Sequence, residues 1–375
     1  MTGIRVEIGS PDAGFAAPFD DLSRRAPVNV FFSPAALGAI QNFAKVHVLR
    51  AWDESASPPR LVGLWALGER RLMPFWPAFL AGPAYDYAFV STPVVDPALA
   101  DAVIAAFLAA IERDARLPKV IRLTHLDGDA YHAIEHALRA RGNRMLTLAT
   151  RERPFLEGAS GLKRSGSTRK KLRQDWNRLS ALGAAAIVND RAPAAVRAAF
   201  EAFLTLEANS WKGAHGTALL SDAKDAAFAR RFIGALADAG SASVALLKLD
   251  AAPIAAQVLL YCGPMAYTWK TAFDAAYGKY SPGVLLVDKV SEDLLAGGIA
   301  TIESCSAEGS FLTHVWTGRR ATIELIADVG AATSLNFALA VAAERTYARL
   351  KGWRARWRAL NWPRLPKRSG LAAPG

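Results

Sequence analysis

Apolar and polar positions alternate with the period of a strand in short runs along this chain, and the stretches between them carry the 3.6 period of a helix. In the first half, residues 46–52 and 61–67 read as two strands joined by the loop 54–60, which is rich in Ser and Pro. A further extended run, 86–91, leads to Thr92-Pro93. Residues 98–111 then read as an alanine-rich helix, 120–124 as a strand, and 131–141 as a helix that Gly142 stops. The second half repeats the order. Strands at 244–249 and 254–261 flank a turn at Asp250-Ala-Ala-Pro253, 266–273 is the next strand, Ser281-Pro282 opens a helix over 284–295, and 300–303 reads as a strand.

Between the two halves the pattern is helical. Leu172, Trp176 and Leu179 are spaced four and three apart before Gly183, a short strand covers 184–188, Pro193 starts a helix with Phe200 and Phe203 on one face, and a third helix surrounds Phe228, Phe232 and Leu236. These patterns predict an α/β protein of two tandem α/β units, 1–150 and 151–350, with a helical insertion over 165–240 and a tail over 351–375.

The chain has 375 residues, 52% of them hydrophobic, long enough for two ordinary cores. Its formal charge of +11 is uneven. The tail holds Lys351, Arg354, Arg356, Arg358, Arg364, Lys367 and Arg368 and no acid, so the body is mildly basic and charge alone demands no nucleic acid. Trp353, Trp357 and Trp362 interleave with these cations, a pattern that suits peripheral contact of 351–368 with an anionic membrane, or packing of the rings on the protein body. Cys262 and Cys305 alone give neither a disulfide framework nor a metal cluster. The start of the chain lacks the apolar core of a signal peptide, and no long charge-free apolar run occurs, so a cytoplasmic location is expected.

Chemistry concentrates in two places. Glu207, Trp211 and Lys212 close the helix begun at Pro193, where a ring and a cation are able to hold part of a ligand; a glycine-terminated helix with a buried Trp is the alternative. Along strand 266–273, Lys270 and Asp274 fall on one face and Trp269 on the other. Lys on a central strand needs a partner or a cleft. Asp274 either orients an acceptor or enters a turn, and Gln257 on the neighbouring strand is either a ligand contact or satisfied in the sheet. Tyr280, Ser281, Pro282 and Gly283 form a helix start with a capping Ser, a fixed φ and no Cβ, where free N–H groups and the helix dipole favour an anion. Cations from Lys163 to Arg173 lie at a helix start, where a bound anion would relieve them. His132 and His136 stand at helical spacing without a third metal ligand, and no metal is expected. No Walker loop, dinucleotide fingerprint or hydrolase elbow is present.

The residues Arg169-Lys-Lys-Leu-Arg173, Glu207 to Gly213, Gln257, Trp269-Lys270, Asp274 and Tyr280-Ser-Pro-Gly283 resemble the BioF2-like acetyltransferase domain of the GNAT superfamily over roughly 150–330. Members of that family include proteins encoded with cellulose and other exopolysaccharide systems, and the Fem-type transferases are more distant relatives. The resemblance implies tandem GNAT-like units, each a mixed, mostly antiparallel sheet flanked by helices. It also implies acyl transfer from acetyl-CoA or another acyl-CoA to an amine or hydroxyl of a sugar or small molecule. The pyrophosphate would sit at Ser281-Pro282-Gly283, and Asp274 or Glu207 would help deprotonate the acceptor. The chain departs from the family at 303–314, where Glu303 stands near an expected Asp and a Tyr-Lys pair is missing. Two alternatives follow: a Fem-type transferase using aminoacyl-tRNA, and a non-catalytic binding protein in a polysaccharide-synthesis assembly.

Overall fold

Thirteen strands among the described residues join into one large, mostly antiparallel sheet flanked by helices. A computed structural model describes residues 3–163, 166–330 and 334–361, with side chains to residue 350 apart from 347 and 348. The described residues up to 330 form one compact unit, and those from 334 belong to another. The membrane expectation rests on tail side chains that lie outside the described residues. Within the second unit, α10 (Leu335–Asn361) follows the elements below.

The first half contributes β1 (Ile4–Gly9), α1 (Ala16–Ser23), α2 (Pro34–Ala39), β2 (Val46–Asp53), β3 (Arg60–Arg70), β4 (Phe79–Gly82), β5 (Val94–Val95), α3 (Ala100–Arg113), β6 (Val120–Asp127), α4 (Gly128–Ala140) and β7 (Arg144–Glu157). Then come α5 (Gly166–Ser180), β8 (Ala185–Val188), α6 (Pro193–Ala208), α7 (Trp211–Ala214), α8 (Ala223–Asp238), β9 (Ala242–Leu249), β10 (Ala252–Cys262), β11 (Met265–Phe273), α9 (Pro282–Ala296), β12 (Thr301–Glu303) and β13 (Arg319–Asp328). Most periodic segments form as expected, because their apolar stripes and their Pro, Gly and Asp punctuation agree. Asp222, for example, caps α8 by accepting from the N–H groups of Lys224 and Asp225.

The sheet order shows the repeat. From one edge the strands run β1, β2, β3, β4, β6, and from the other β8, β9, β10, β11, β12, and in each series the last pair is parallel while the others are antiparallel. At the centre the halves exchange strands. β13, from the second half, lies against β6 of the first, and the end of β7 pairs with β12. β7 and β13 pair with each other over ten residues, from Arg319↔Pro154 to Asp328↔Arg144. Neither strand is apparent from periodicity, since both mix charge with apolar residues on partly covered faces.

Residues 86–91 are not a strand, contrary to the expectation. They are an irregular segment whose backbone is satisfied by side chains: Asn29 Nδ2 donates to the carbonyls of Val90 and Thr92, and Trp65 Nε1 to that of Ser91. One apolar core runs through both halves, with Phe200, Phe203, Phe228 and Phe232 of the insertion packed with Tyr85, Trp269 and Phe31. A second core joins α5 and α9 to the other face of the second-half sheet.

Candidate active site

β11 and β12 run side by side for three residue pairs, Met265↔Thr301, Ala266↔Ile302 and Tyr267↔Glu303, and then part. Two local features open the gap. On β11, pairing with β10 passes from Val258↔Lys270 to Leu259↔Thr268, so Trp269 is the extra residue of a bulge. After β12, Cys305 takes the left-handed region at φ 44° and turns the chain aside. A cavity of about 560 Å3 fills the gap. It is lined by Thr268, Lys270 and Thr271 of β11, by Ser304, Cys305 and Ser306, by Gly283 and Val284 at the start of α9, and by Trp211 and Lys212 of α7. The outer edge of β11 past Tyr267 therefore turns its backbone groups toward this space rather than toward a strand.

The bulge also corrects the expected alternation. Trp269 packs in the core against Phe232 and donates from Nε1 to the Tyr87 carbonyl at 2.9 Å. Lys270 Nζ lies 5.5 Å from the centres of both the Trp269 and the Tyr87 rings. Asp274 does not line the cavity. It caps the short 3-10 turn 275–280 by accepting from the Ala276 N–H at 2.9 Å, the turn role that its position at a strand end allows.

Glu207 is the deepest charged group of the site, with no exposed surface. It sits in the last turn of α6, and both of its oxygens are engaged. Oε1 takes Lys212 Nζ at 3.0 Å and lies 3.7 Å from Lys270 Nζ, while Oε2 accepts the Leu219 N–H at 2.9 Å. Lys212 is placed by α7, whose cap Ser210 accepts from the Lys212 N–H and donates to the Glu207 carbonyl. Gly213 is required here, because a Cβ would fall 1.7 Å from the Ala208 carbonyl oxygen. Two ammonium groups thus share one buried carboxylate. Burial lowers the Lys270 pKa, Glu207 opposes the shift, and Lys212 adds to it. Trp211 is largely exposed at the cavity mouth and stands edge-on to His215.

At α9 the arrangement differs from the expected cap. Ser281 adopts φ 53° and its side chain makes no cap bond. Its hydroxyl lies 3.3 Å from Asp175 Oδ2 and from Lys171 Nζ, while its carbonyl accepts from the Val284 and Leu285 N–H groups. Pro282 has no N–H, so the Gly283 N–H is the donor that this first turn leaves for a ligand. A Cβ on Gly283 would meet the Phe273 ring at 3.3 Å and Thr271 Cγ2 at 3.7 Å. Tyr280 is buried beneath Arg178 and Lys279. Two of the α5 cations are engaged within the protein: Arg169 pairs with Asp288 and Glu292 of α9, and Lys171 with Asp175.

Gln257 pairs across the ladder with Thr271, so the two side chains share a sheet face. Its amide is buried, and neither Oε1 nor Nε2 has a hydrogen-bond partner among the described residues. Glu303 is also buried, held by Arg153, and does not line the cavity. The sequence singled out 303–314, which holds the wall 304–306, only as a departure from the family, and Tyr87 was not among its candidates. The alternate aromatics Tyr85, Tyr87 and Phe89 were the available signal for Tyr87. Among the described residues no group of His, Cys, Asp and Glu could hold a metal, and His132 and His136 lie beside Glu135 and Asp101.

Residues 166–308, which include most of the cavity lining, match the family model described as Acetyltransferase (GNAT) domain. Solved structures share the wider fold. FemX aligns with a TM-score of 0.59 at 11% identity, covering 85% of this chain and 96% of that one. A C-terminal domain (DUF2156) described as belonging to a lysylphosphatidylglycerol synthetase of Agrobacterium fabrum aligns at 0.56 and 14% identity, covering 88% and 94%. A conserved protein of unknown function from Bacteroides thetaiotaomicron aligns at 0.56 and 10% identity, covering 86% and 100%. At these identities the likeness is one of fold. No curated protein matches the sequence.

Proposed function

We propose that this chain is a GNAT-type acyltransferase that moves an acyl group from a coenzyme A thioester to an amine or hydroxyl of a sugar or other small acceptor in the gap between β11 and β12. One observation carries the reading: an open strand edge, a glycine helix start and a lysine pair on a buried carboxylate meet at one cavity of about 560 Å3. The residues fit a thioester, because Gly283 offers an N–H and leaves room that a Cβ would fill against Phe273. Coenzyme A, when bound, supplies the activated acyl carbon and a thiolate leaving group.

The outer edge of β11 places backbone N–H groups where charge develops on the acyl oxygen. Lys270 is the cavity group best suited to take the acceptor's proton, since burial favours its neutral form and it lines the space beside the buried Glu207. Glu207 has no free oxygen for that role. It is a positioning residue that fixes Lys212 and Lys270. Trp211 and Trp269 border the path of the acceptor.

Titration calorimetry with acetyl-CoA, a longer acyl-CoA and aminoacyl-tRNA tests the donor. Micromolar binding of a CoA thioester is expected. Binding of aminoacyl-tRNA alone would move the donor to the Fem-type class, in keeping with the fold likeness to FemX. Binding of none of them would end the transferase reading.

A further inference from the structure

The hairpin between β3 and β4 ends in Arg70-Arg-Leu-Met-Pro-Phe-Trp-Pro77, and its apolar side chains point away from the protein. Phe75 is 100% exposed, Met73 53% and Leu72 49%. Single exposed apolar residues are ordinary, but a contiguous group that includes a wholly exposed Phe at a loop tip marks a contact site. The base of the tip is rigid. Gly68↔Ala81, Glu69↔Leu80 and Arg70↔Phe79 pair across the strands, the Trp76 N–H donates to the Met73 carbonyl, and Arg71 Nη1 donates to the Trp76 carbonyl at 3.0 Å. The group is therefore held out by the fold.

We infer that this tip is a docking element for an anionic membrane surface, with Leu72, Met73 and Phe75 entering the interface and Arg71 meeting lipid phosphate. Three observations favour this occupant. The exposed apolar residues follow Arg71, which is itself exposed and bonds the Trp76 carbonyl rather than a carboxylate, so the tip carries a cation complementary to an anionic leaflet. Trp76, next to Phe75 in the chain, is partly exposed, and an indole beside an apolar tip favours an interface. The tip is also too small for a stable protein contact, which needs roughly 800 Å2 on each partner. No described helix is long and apolar enough to cross a membrane, so the contact is a surface one. The tip connects to the cavity in a short series of contacts. Arg70 Nη1 holds Asp86 at 2.6 Å, and the next residue, Tyr87, lies over Lys270. The inference stands apart from the proposed acyl transfer and from the basic tail.

The test uses the full chain with the tail intact. Phe75→Cys, labelled with an environment-sensitive fluorophore, should shift to the blue and be quenched by spin labels in the lipid chains on vesicles of phosphatidylglycerol and phosphatidylcholine, and not on phosphatidylcholine alone. A Leu72→Ser/Met73→Ser/Phe75→Ser chain should lose at least tenfold in flotation with the anionic vesicles while melting at the wild-type temperature. No blue shift, or flotation of the triple variant equal to wild type, overturns the inference. So does a wild-type dimer in lipid-free solution that the triple substitution converts to monomer without any change in flotation, since the tip would then be a self-association surface.

Discussion

Arg153 of β7 and Glu303 of β12 face each other with Nε and Oε1 2.8 Å apart, both almost wholly out of solvent. The pair joins the strand lent by the first half to the sheet of the second, and Nη2 adds a contact to Oε2 at 2.8 Å. Arg320, from the strand lent in return, approaches the same carboxylate at 3.7 Å. Removing one member strands a buried charge. Glu303→Ala is expected to cost about 3–5 kcal/mol, and Arg153→Met/Glu303→Leu together far less, read from urea midpoints. A double variant as unstable as the single one would contradict this.

Glu207 separates two ammonium groups, so its charge governs Lys270. Glu207→Gln keeps an acceptor for the Leu219 N–H and removes the negative neighbour. The Lys270 pKa should fall further, moving the acidic limb of the transfer rate's pH profile to lower pH, with a stability loss of about 1–3 kcal/mol. An unmoved limb would detach Lys270 from the proton transfer.

His125 of β6, stacked on Phe89 with ring centres 4.4 Å apart, has its pKa lowered to about 4 by burial, with Arg153 adding to the shift. The unfolded chain binds the proton below about 6.5 and the folded one only below about 4, so stability rises with pH across that window. The gain is about 3 kcal/mol, lost again as the pH falls to 4. Because His125 holds φ 56°, Asn is the replacement that tolerates its backbone. His125→Asn should flatten the dependence of the urea midpoint on pH between 4 and 6.5.

Gly283→Val places a branched side chain against Phe273 and into the cavity. Affinity for a CoA thioester should fall at least tenfold in calorimetry, while the circular dichroism melt moves by no more than a few degrees. Equal affinity would remove the start of α9 from the donor site.

Gln257→Leu replaces a buried amide with no hydrogen-bond partner among the described residues by an apolar group of similar size. Stability should rise by about 1 kcal/mol. A simultaneous loss of transfer activity would mark the amide as a substrate contact, held in place at the expense of stability.

The residues alone determined the elements whose signals lie close together in the chain. Period and punctuation placed α5, α6, α8, α9 and the strand trio β9 to β11, and the clusters at 207–213, 269–270 and 281–283 identified the lining of one cavity. What they left undecided depended on partners far away in sequence. The exchange of β7 and β13 joins residues more than 160 positions apart, and no local period specifies which strand a mixed-polarity run will meet. Ser281 reads as a cap, yet its hydroxyl goes to Asp175 and Lys171, because α5 packs beside the start of α9. The family resemblance offers Glu207 and Asp274 as alternative bases. Folding buries the first beneath two lysines and leaves the second to close a turn, since burial and charge pairing are properties of the assembled neighbourhood and not of the residue.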